Sequence, residues 1–463
     1  MASELRRIPS GPAEKYKASD DLLSWMFDQF RQYGDIYRAS VYGANVYVVN
    51  DPQYADHILR KNWQNYKKGQ AIKRIGLLLG NGLMVSEGEV WKHQRRMIQP
   101  AFHEKAIGAL YDKITAANLA LLKKWRDAAE ENLSVNITSD ISHMVLNIVL
   151  KSIFGDDYEE VAPHFNILSD ESARNLQFAQ AFRPLGKLVV QVAERRRKQS
   201  VIAPDMLGML MEARDQKSGQ GMPDKQLVSE IMTLIVAGHE TTAMTLNWTW
   251  YLLSKSPEAE ENLVRELQVL CGSKLPRLGD LPGFTYTRQV IEETLRLYPA
   301  GWLMTRKALK DDQLGDYFVP AGTEIYISPY LIQRHPDLWK DPDRFDPDRF
   351  DAGQSNERHE LAMLPFSAGP RKCIGELFAR IEMQIHLIVI AKELRLRCAD
   401  GNSVDLEAGV NLRNKSDFIM TPEIRPPLSL AAVLNASEFR DGNSASAICS
   451  HIHAAGKGVT DVH

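Results

Sequence analysis

The stretch that decides the fold runs from Pro365 to Met383 and reads PFSAGPRKCIGELFARIEM. Its one cysteine, Cys373, is fenced by Gly369 and Gly375, preceded by Arg371 and Lys372, and followed by an amphipathic pattern at helical spacing. A cysteine used for packing needs no such frame. A sulfur that must stay ionised and face a large group does. Glycines allow tight turns and close backbone approach. The free N–H groups and dipole of the helix beginning after Cys373 favour an anion at that end. Arg371 adds a positive charge, or a clamp for an acidic cofactor group. The competing reading is a buried, inert cysteine beside a turn. That is the ordinary outcome for a lone cysteine, and the whole frame counts against it.

Upstream lies a long apolar-periodic segment, Met222 to Ser256, which reads as one helix stopping before Pro257. In its middle stands AGHETT, Ala237 to Thr242. Gly238 costs a mid-helix position about 1 kcal/mol relative to alanine, and a gap beside it would admit a flat cofactor and a small ligand. Thr241 can bond back to the carbonyl of Ala237 and locally open the helix. Glu240 sits in an otherwise apolar stretch, where burial is expected to raise its pKa and make it a proton carrier. A solvated polar stripe is the bland alternative. EETLRLYP places Glu293 and Arg296 three apart on one helix face, a spacing that surface helices also show at little energetic value. WKHQRR puts Trp91 and Arg95 at i and i+4, so an indole N–H and a guanidinium can meet one anionic group. An interfacial Trp beside solvated charge would look the same.

Phe366, Gly369, Arg371, Cys373 and Gly375 match F-x-x-G-x-R-x-C-x-G, and the chain resembles the cytochrome P450 family from roughly Tyr33 to Pro427. AGHETT, EETLR and WKHQR fall in the family's order. The resemblance implies a mainly α fold with a small β-sheet region and a long central helix over a haem. It implies heme b (iron protoporphyrin IX) with Cys373 as the iron ligand, whose thiolate favours O–O cleavage. Ala237 and Gly238 would form the oxygen groove, with Glu240 and Thr241 delivering protons. Trp91, Arg95, Arg306 and Arg371 would meet the haem carboxylates, and Phe366 belongs to the cysteine loop. Glu293 and Arg296 would be completed by Arg349 of FDPDRF, with Arg344 of the preceding PDRF as the other candidate. The implied activity is monooxygenation of an apolar small molecule by O2. No flavin, nicotinamide or iron–sulfur module is visible, so electrons come from an external ferredoxin or flavodoxin with its reductase. A peroxide-driven peroxygenase, an isomerase or dehydratase, and a non-catalytic haem binder are the alternatives. Pocket candidates are 72–84, 165–182, Leu234, Val236, 300–304 and 416–418, with Trp302 and Phe418 as aromatic walls.

The rest of the chain bounds the setting. Its 463 residues carry a formal charge of −3, which gives no support to nucleic acid as a partner. Local basic residues (Lys92, Arg95, Arg96, Arg371 and Lys372) would suit an acidic redox protein if they cluster. Cys271, Cys373, Cys398 and Cys449 are far apart, without a C-x-x-C pair, which argues against a disulfide framework or structural zinc. GNGLMV lacks the third glycine and the strand-turn-helix context of a nucleotide loop. No signal-peptide h-region and no run of roughly 18 apolar residues is present, which predicts a cytoplasmic protein without a membrane anchor. GDIYRASVYGANVYVVND alternates as a hairpin turning at Gly43-Ala44-Asn45, and Asp51-Pro52 opens a helix. Short strands return in DQLGDYFVPAGTEIYISPY. Pairing of strands from both ends predicts one haem domain over 1–427. Residues 428–463 read as a disordered or non-native tail, whose Cys449, His451 and His453 lack a preformed metal geometry.

Overall fold

Alternating burial along Ile36–Val41 (β1) and Ala44–Val49 (β2) makes the expected hairpin, with Val41 opposite Ala44. The computed structural model describes residues 6–9, 11, 16–17, 21–168, 176–199, 203–215, 218–271, 274–351, 358–398 and 404–426. The turn is Tyr42-Gly43 rather than Gly43-Ala44-Asn45: both residues take positive φ, 49° and 77°. A two-residue turn of that hand matches the twist of the strands. Tyr66–Lys68 (β3), Met304–Ala308 (β4) and Glu324–Ile327 (β5) complete a five-stranded sheet ordered β1-β2-β5-β4-β3. β2 runs parallel to β5, and the other pairs are antiparallel. Strands about 240 residues apart therefore share one ladder, as the scattered β pieces predict. A second cross-chain ladder joins Val135–Asn136 to Ile419–Ile424.

Helices form the bulk of the described chain. Asp51 caps the helix at Pro52 by accepting from the Gln53 amide. Two successive helices, Glu104–Gly108 and Tyr111–Glu130, follow. Five helices position the site: Gly88–Ile98 (α1), Ile137–Phe154 (α2), Asp224–Lys255 (α3), Thr285–Leu297 (α4) and Glu376–Ala391 (α5). α3 stops before Pro257, as proline requires. It packs along α2 more than against any other element. Its buried residues, including Ile231, Ile235 and Leu246, join those of α2 and α5 in the main core. A late hairpin, Leu406–Ala408 (β6) with Leu412–Asn414 (β7), turns at 409–411.

Neither proposed aromatic wall is a free surface. Trp302 is buried in the core of the N-terminal sheet and donates its indole N–H to the Gly409 carbonyl at 3.0 Å. Phe418 stacks on Tyr251 at 5.2 Å and meets Trp248 edge-on. Both are committed to packing. Residues 169–175, inside the predicted pocket stretch 165–182, and the tail with Cys449, His451 and His453 lie outside the described residues.

Candidate active site

The Cys373 loop is shaped by what will not fit. Gly369 has φ +70°, and a Cβ there would stand 2.0 Å from the Leu59 carbonyl oxygen, so only glycine is tolerated. Cys373 N–H donates to the Phe366 carbonyl at 2.9 Å, and Lys372 N–H to Gly369 at 3.0 Å. The helix does not start at the cysteine; α5 begins at Glu376, with Gly375 as its N-cap. Phe366 packs under the Arg380 guanidinium, 4.9 Å from its ring centre. Cys373 is solvent-accessible, yet burial pushes its thiol up, against the Gly375 N–H, Arg95 and Lys372, which pull it down. The sulfur is thus reached by solvent and still desolvated by the protein atoms around it.

Around this loop the structure gathers the expected cations. Arg95 on α1 donates to the Lys372 carbonyl at 2.9 Å. Arg371 donates to the Tyr66 carbonyl at 2.6 Å and to Glu87 at 2.5 Å. Its guanidinium stands 5.5 Å from the ring centres of Trp63 and Trp91, which meet edge-on. Arg306 on β4 is buried and donates to the Thr305 carbonyl; burial, then repulsion by Arg371, lowers it to about 10. Two participants escaped sequence reasoning. Lys68 stands opposite Arg306 across β3 and β4, and burial lowers it to about 7. Glu87 pairs with Arg371 and also accepts the Lys68 backbone N–H. Residues this far apart in sequence carry no local signal; only strand register joins Lys68 to Arg306.

These residues fit a haem. Burial disfavours the charged form of Arg95, Arg306 and Arg371 alike. Glu87 is the one carboxylate hydrogen-bonded to any of the three among the described residues, and the Arg371 Nε has no acceptor. Uncompensated buried cations are costly. A cofactor bringing two carboxylates and a soft metal would offset that cost and use the accessible sulfur.

On α3, Thr241 bonds back to the Ala237 carbonyl at 2.7 Å, as its spacing predicts, and Thr245 and Thr249 repeat the pattern. The helix nevertheless runs through without a break. A Cβ on Gly238 would lie 3.4 Å from Val149 of α2, an ordinary van der Waals contact. Glu240 is not enclosed: it is half-buried, and its carboxylate accepts from the Asn411 amide at 2.7 Å. The fully enclosed neighbour is His239, whose Nε2 lies 3.0 Å from the Ser142 carbonyl oxygen and 3.0 Å from its hydroxyl.

Glu293 and Arg296 are no surface pair. Both side chains are 0 % exposed, joined at 2.6 and 2.8 Å. Arg349 completes the cluster, its Nε donating to Glu293 at 3.0 Å, whereas Arg344 offers its carbonyl to Arg296 and Arg349. The basic residues around the cysteine are partly neutralised: Lys92 pairs with Glu89 and Lys372 with Glu376, each at 2.7 Å. Arg96 is exposed.

The family model described as Cytochrome P450 matches residues 10–185 and 163–420. The chain is 31% identical over 393 residues to the cyclooctat-9-en-7-ol 5-monooxygenase of Streptomyces melanosporofaciens, covering 80% of this chain and 84% of that one. It is 29% identical to the protein LUTEIN DEFICIENT 5 of Arabidopsis thaliana (88% and 75% covered) and 29% identical to the pentalenene oxygenase of Streptomyces avermitilis (79% and 84% covered). The crystal structure of the cytochrome P450DA heme domain superposes with a TM-score of 0.82 at 24% identity, over 92% of this chain and 98% of that one, a likeness of fold. No helix among the described residues is long and apolar enough to cross a membrane. With an exposed yet desolvated cysteine and a cationic cluster beside it, the chain belongs to the cytochrome P450 family: it is an oxidoreductase that takes haem, O2, a redox partner and a small-molecule substrate.

Proposed function

We propose that this protein is a heme b monooxygenase that hydroxylates or epoxidises an apolar isoprenoid-type small molecule, with electrons from a ferredoxin or flavodoxin and its reductase. The observation that carries the reading is Cys373, exposed yet desolvated, beside the half-buried Arg95 and Arg371 and the buried Arg306, with Glu87 the one carboxylate hydrogen-bonded to these arginines among the described residues. Bound haem supplies the iron at which oxygen is activated. The chain's own residues do the rest. Cys373 Sγ is the ligand, and Trp91, Arg95, Arg306 and Arg371 anchor the carboxylates. Thr241, tied to the Ala237 carbonyl, holds a hydroxyl at the helix surface. Glu240 takes up and releases protons. Half-buried Leu234 and Val236, beside Ala237, suit an apolar substrate. The isoprenoid class is supported by relatives whose names specify a terpenoid alcohol monooxygenase and pentalenene oxygenase.

The deciding experiment is a reduced carbon monoxide difference spectrum of the purified protein, followed by turnover of a terpenoid library with either reductant and O2 or peroxide. A thiolate-type Soret band and reductant-dependent product are expected, and Cys373→Ser abolishes both. An imidazole-type spectrum removes the ligand assignment. Equal turnover with peroxide alone replaces the monooxygenase by a peroxygenase.

A further inference from the structure

Among the described residues Glu240 is held by a hairpin rather than by a cation: its carboxylate accepts from the Asn411 amide at 2.7 Å. Asn411 sits at the tip between β6 and β7, and that tip is fixed to the fold on both sides. Trp302 donates to the Gly409 carbonyl at 3.0 Å, the Leu412 N–H donates to Ala300 at 3.0 Å, and Trp248 donates to the Leu412 carbonyl at 3.3 Å. Between these anchors Val410 is 70% exposed. The tip thus reaches solvent while its neighbour Asn411 reaches inward to the acid.

A second observation lies on the same helix face. Asn247 follows Glu240 by seven residues, which is two turns and about 10 Å along the axis. It is 2% exposed, and neither its Oδ1 nor its Nδ2 has a hydrogen-bond partner among the described residues. Four unmet hydrogen-bonding valences in a dry core would be costly. The side chain instead borders a narrow crevice between α3 and the hairpin, lined also by Thr138, Arg413, Asn414 and Ser416 and by the apolar Met244, Trp248 and Phe418. Beside the Asn247 amide it has room for about one water molecule.

We infer that the β6–β7 hairpin is the proton-entry side of the site: Asn411 positions the Glu240 carboxylate, and water held at Asn247 resupplies it. This rests on the reading of Glu240 as proton carrier. Monooxygenation of R–H consumes O2, two electrons from the redox partner and two protons, giving R–OH and water. In the relay, an excess proton entering at the crevice is passed along intervening water, and the last hydronium gives it to the Glu240 carboxylate, forming an acid O–H bond and leaving neutral water. That bond then breaks toward the Thr241 hydroxyl side, and the carboxylate returns to Asn411. No electron moves in the relay. A neutral amide suits this task, because an arginine or lysine there would hold the carboxylate in its charged form.

The test uses the holoenzyme with Asn411→Leu, Asn247→Leu, Asn247→Ser and, as control, Glu240→Gln. Haem content, melting temperature and substrate-binding shift are recorded for each. Asn411→Leu and Asn247→Leu should each lower product formed per O2 consumed about threefold or more and raise the solvent deuterium isotope effect on kcat. Asn247→Ser keeps a polar group on the crevice and should behave as wild type. Independently of turnover, the infrared carboxylate band that disappears in Glu240→Gln should shift in Asn411→Leu. Wild-type coupling and isotope effect in both leucine variants, or an unshifted band, overturns the inference. If Glu240→Gln is impaired while the leucine variants are not, the proton-carrier reading stands and the hairpin assignment alone falls. Unimpaired Glu240→Gln overturns both.

Discussion

Glu382 on α5 is fully buried, and neither carboxylate oxygen has a hydrogen-bond partner among the described residues. Burial alone pushes its pKa well above the usual carboxylate range, so the folded protein holds this proton more tightly than the unfolded chain does. The linkage sign follows. A carboxyl with a raised folded pKa contributes fully below its unfolded value, and that contribution is lost as pH rises from there toward the folded pKa. Glu382→Gln keeps the shape and removes the ionisation penalty. Its melting temperature should exceed wild type by roughly 2 °C or more at pH 7, and the gap should close near pH 4. Differential scanning calorimetry at both values checks this, and a gap that widens on acidification contradicts it. At this scale sequence reading works where chemistry is framed locally. The Cys373 loop was legible because glycine, arginine and cysteine lie within a few residues of one another. Glu240 and Gly238 were legible as positions but not as environments. A helical pattern does not say that Gly238 faces Val149 of α2, or that Asn411 reaches Glu240 from a hairpin 171 residues away.

The element that fixes the cysteine side is α4 with the loop it grips. Glu293 receives two bonds from Arg296, one from Arg349 and one from the Asp346 N–H. Arg296 in turn donates to the carbonyls of Gln333, Pro342 and Arg344, and lies 5.0 Å from the Trp339 ring centre. A buried network with so many satisfied donors depends on every member. Glu293→Gln leaves two buried guanidiniums without their shared carboxylate, which should cost on the order of 3–5 kcal/mol. The expected outcome is protein that expresses with little haem, measured as Soret absorbance per chain. Full haem occupancy with an unchanged melting temperature would show the cluster to be dispensable. The i, i+3 spacing of Glu293 and Arg296 predicts a pair but not its burial, because exposed helices use the same spacing. Duplicated PDRF left two arginines open, and the loop path decides for Arg349 by aiming its Nε at Glu293. The β1–β2 turn moved by one residue for a comparable reason: Tyr42 accepts a left-handed φ that sequence preference assigns to glycine or asparagine.

At the scale of the whole molecule, a formal charge of −3 hides a local asymmetry. α1, which carries Lys92, Arg95 and Arg96, meets the cysteine loop, which carries Arg371 and Lys372, where Arg95 donates to the Lys372 carbonyl. Glutamates offset part of this charge. Glu87 and Glu376 hold Arg371 and Lys372, and Glu89 holds Lys92, so the exposed Arg96 carries more of the unbalanced field than the sequence run suggests. An acidic redox protein steered to this face would gain mainly in association rate, and the gain would shrink with salt as screening shortens the field. Arg96→Glu and Lys372→Glu should therefore each slow reduction by a ferredoxin or flavodoxin about threefold to tenfold at low ionic strength. The difference should fade near 0.5 M salt, and dithionite reduction should be unchanged. Lys372 adjoins the cysteine, so its replacement can also disturb the loop; Arg96 lies one helix away and isolates the electrostatic effect. Stopped-flow reduction across a salt series separates the two, and a rate for Arg96→Glu equal to wild type at low salt would move the docking face elsewhere on the protein.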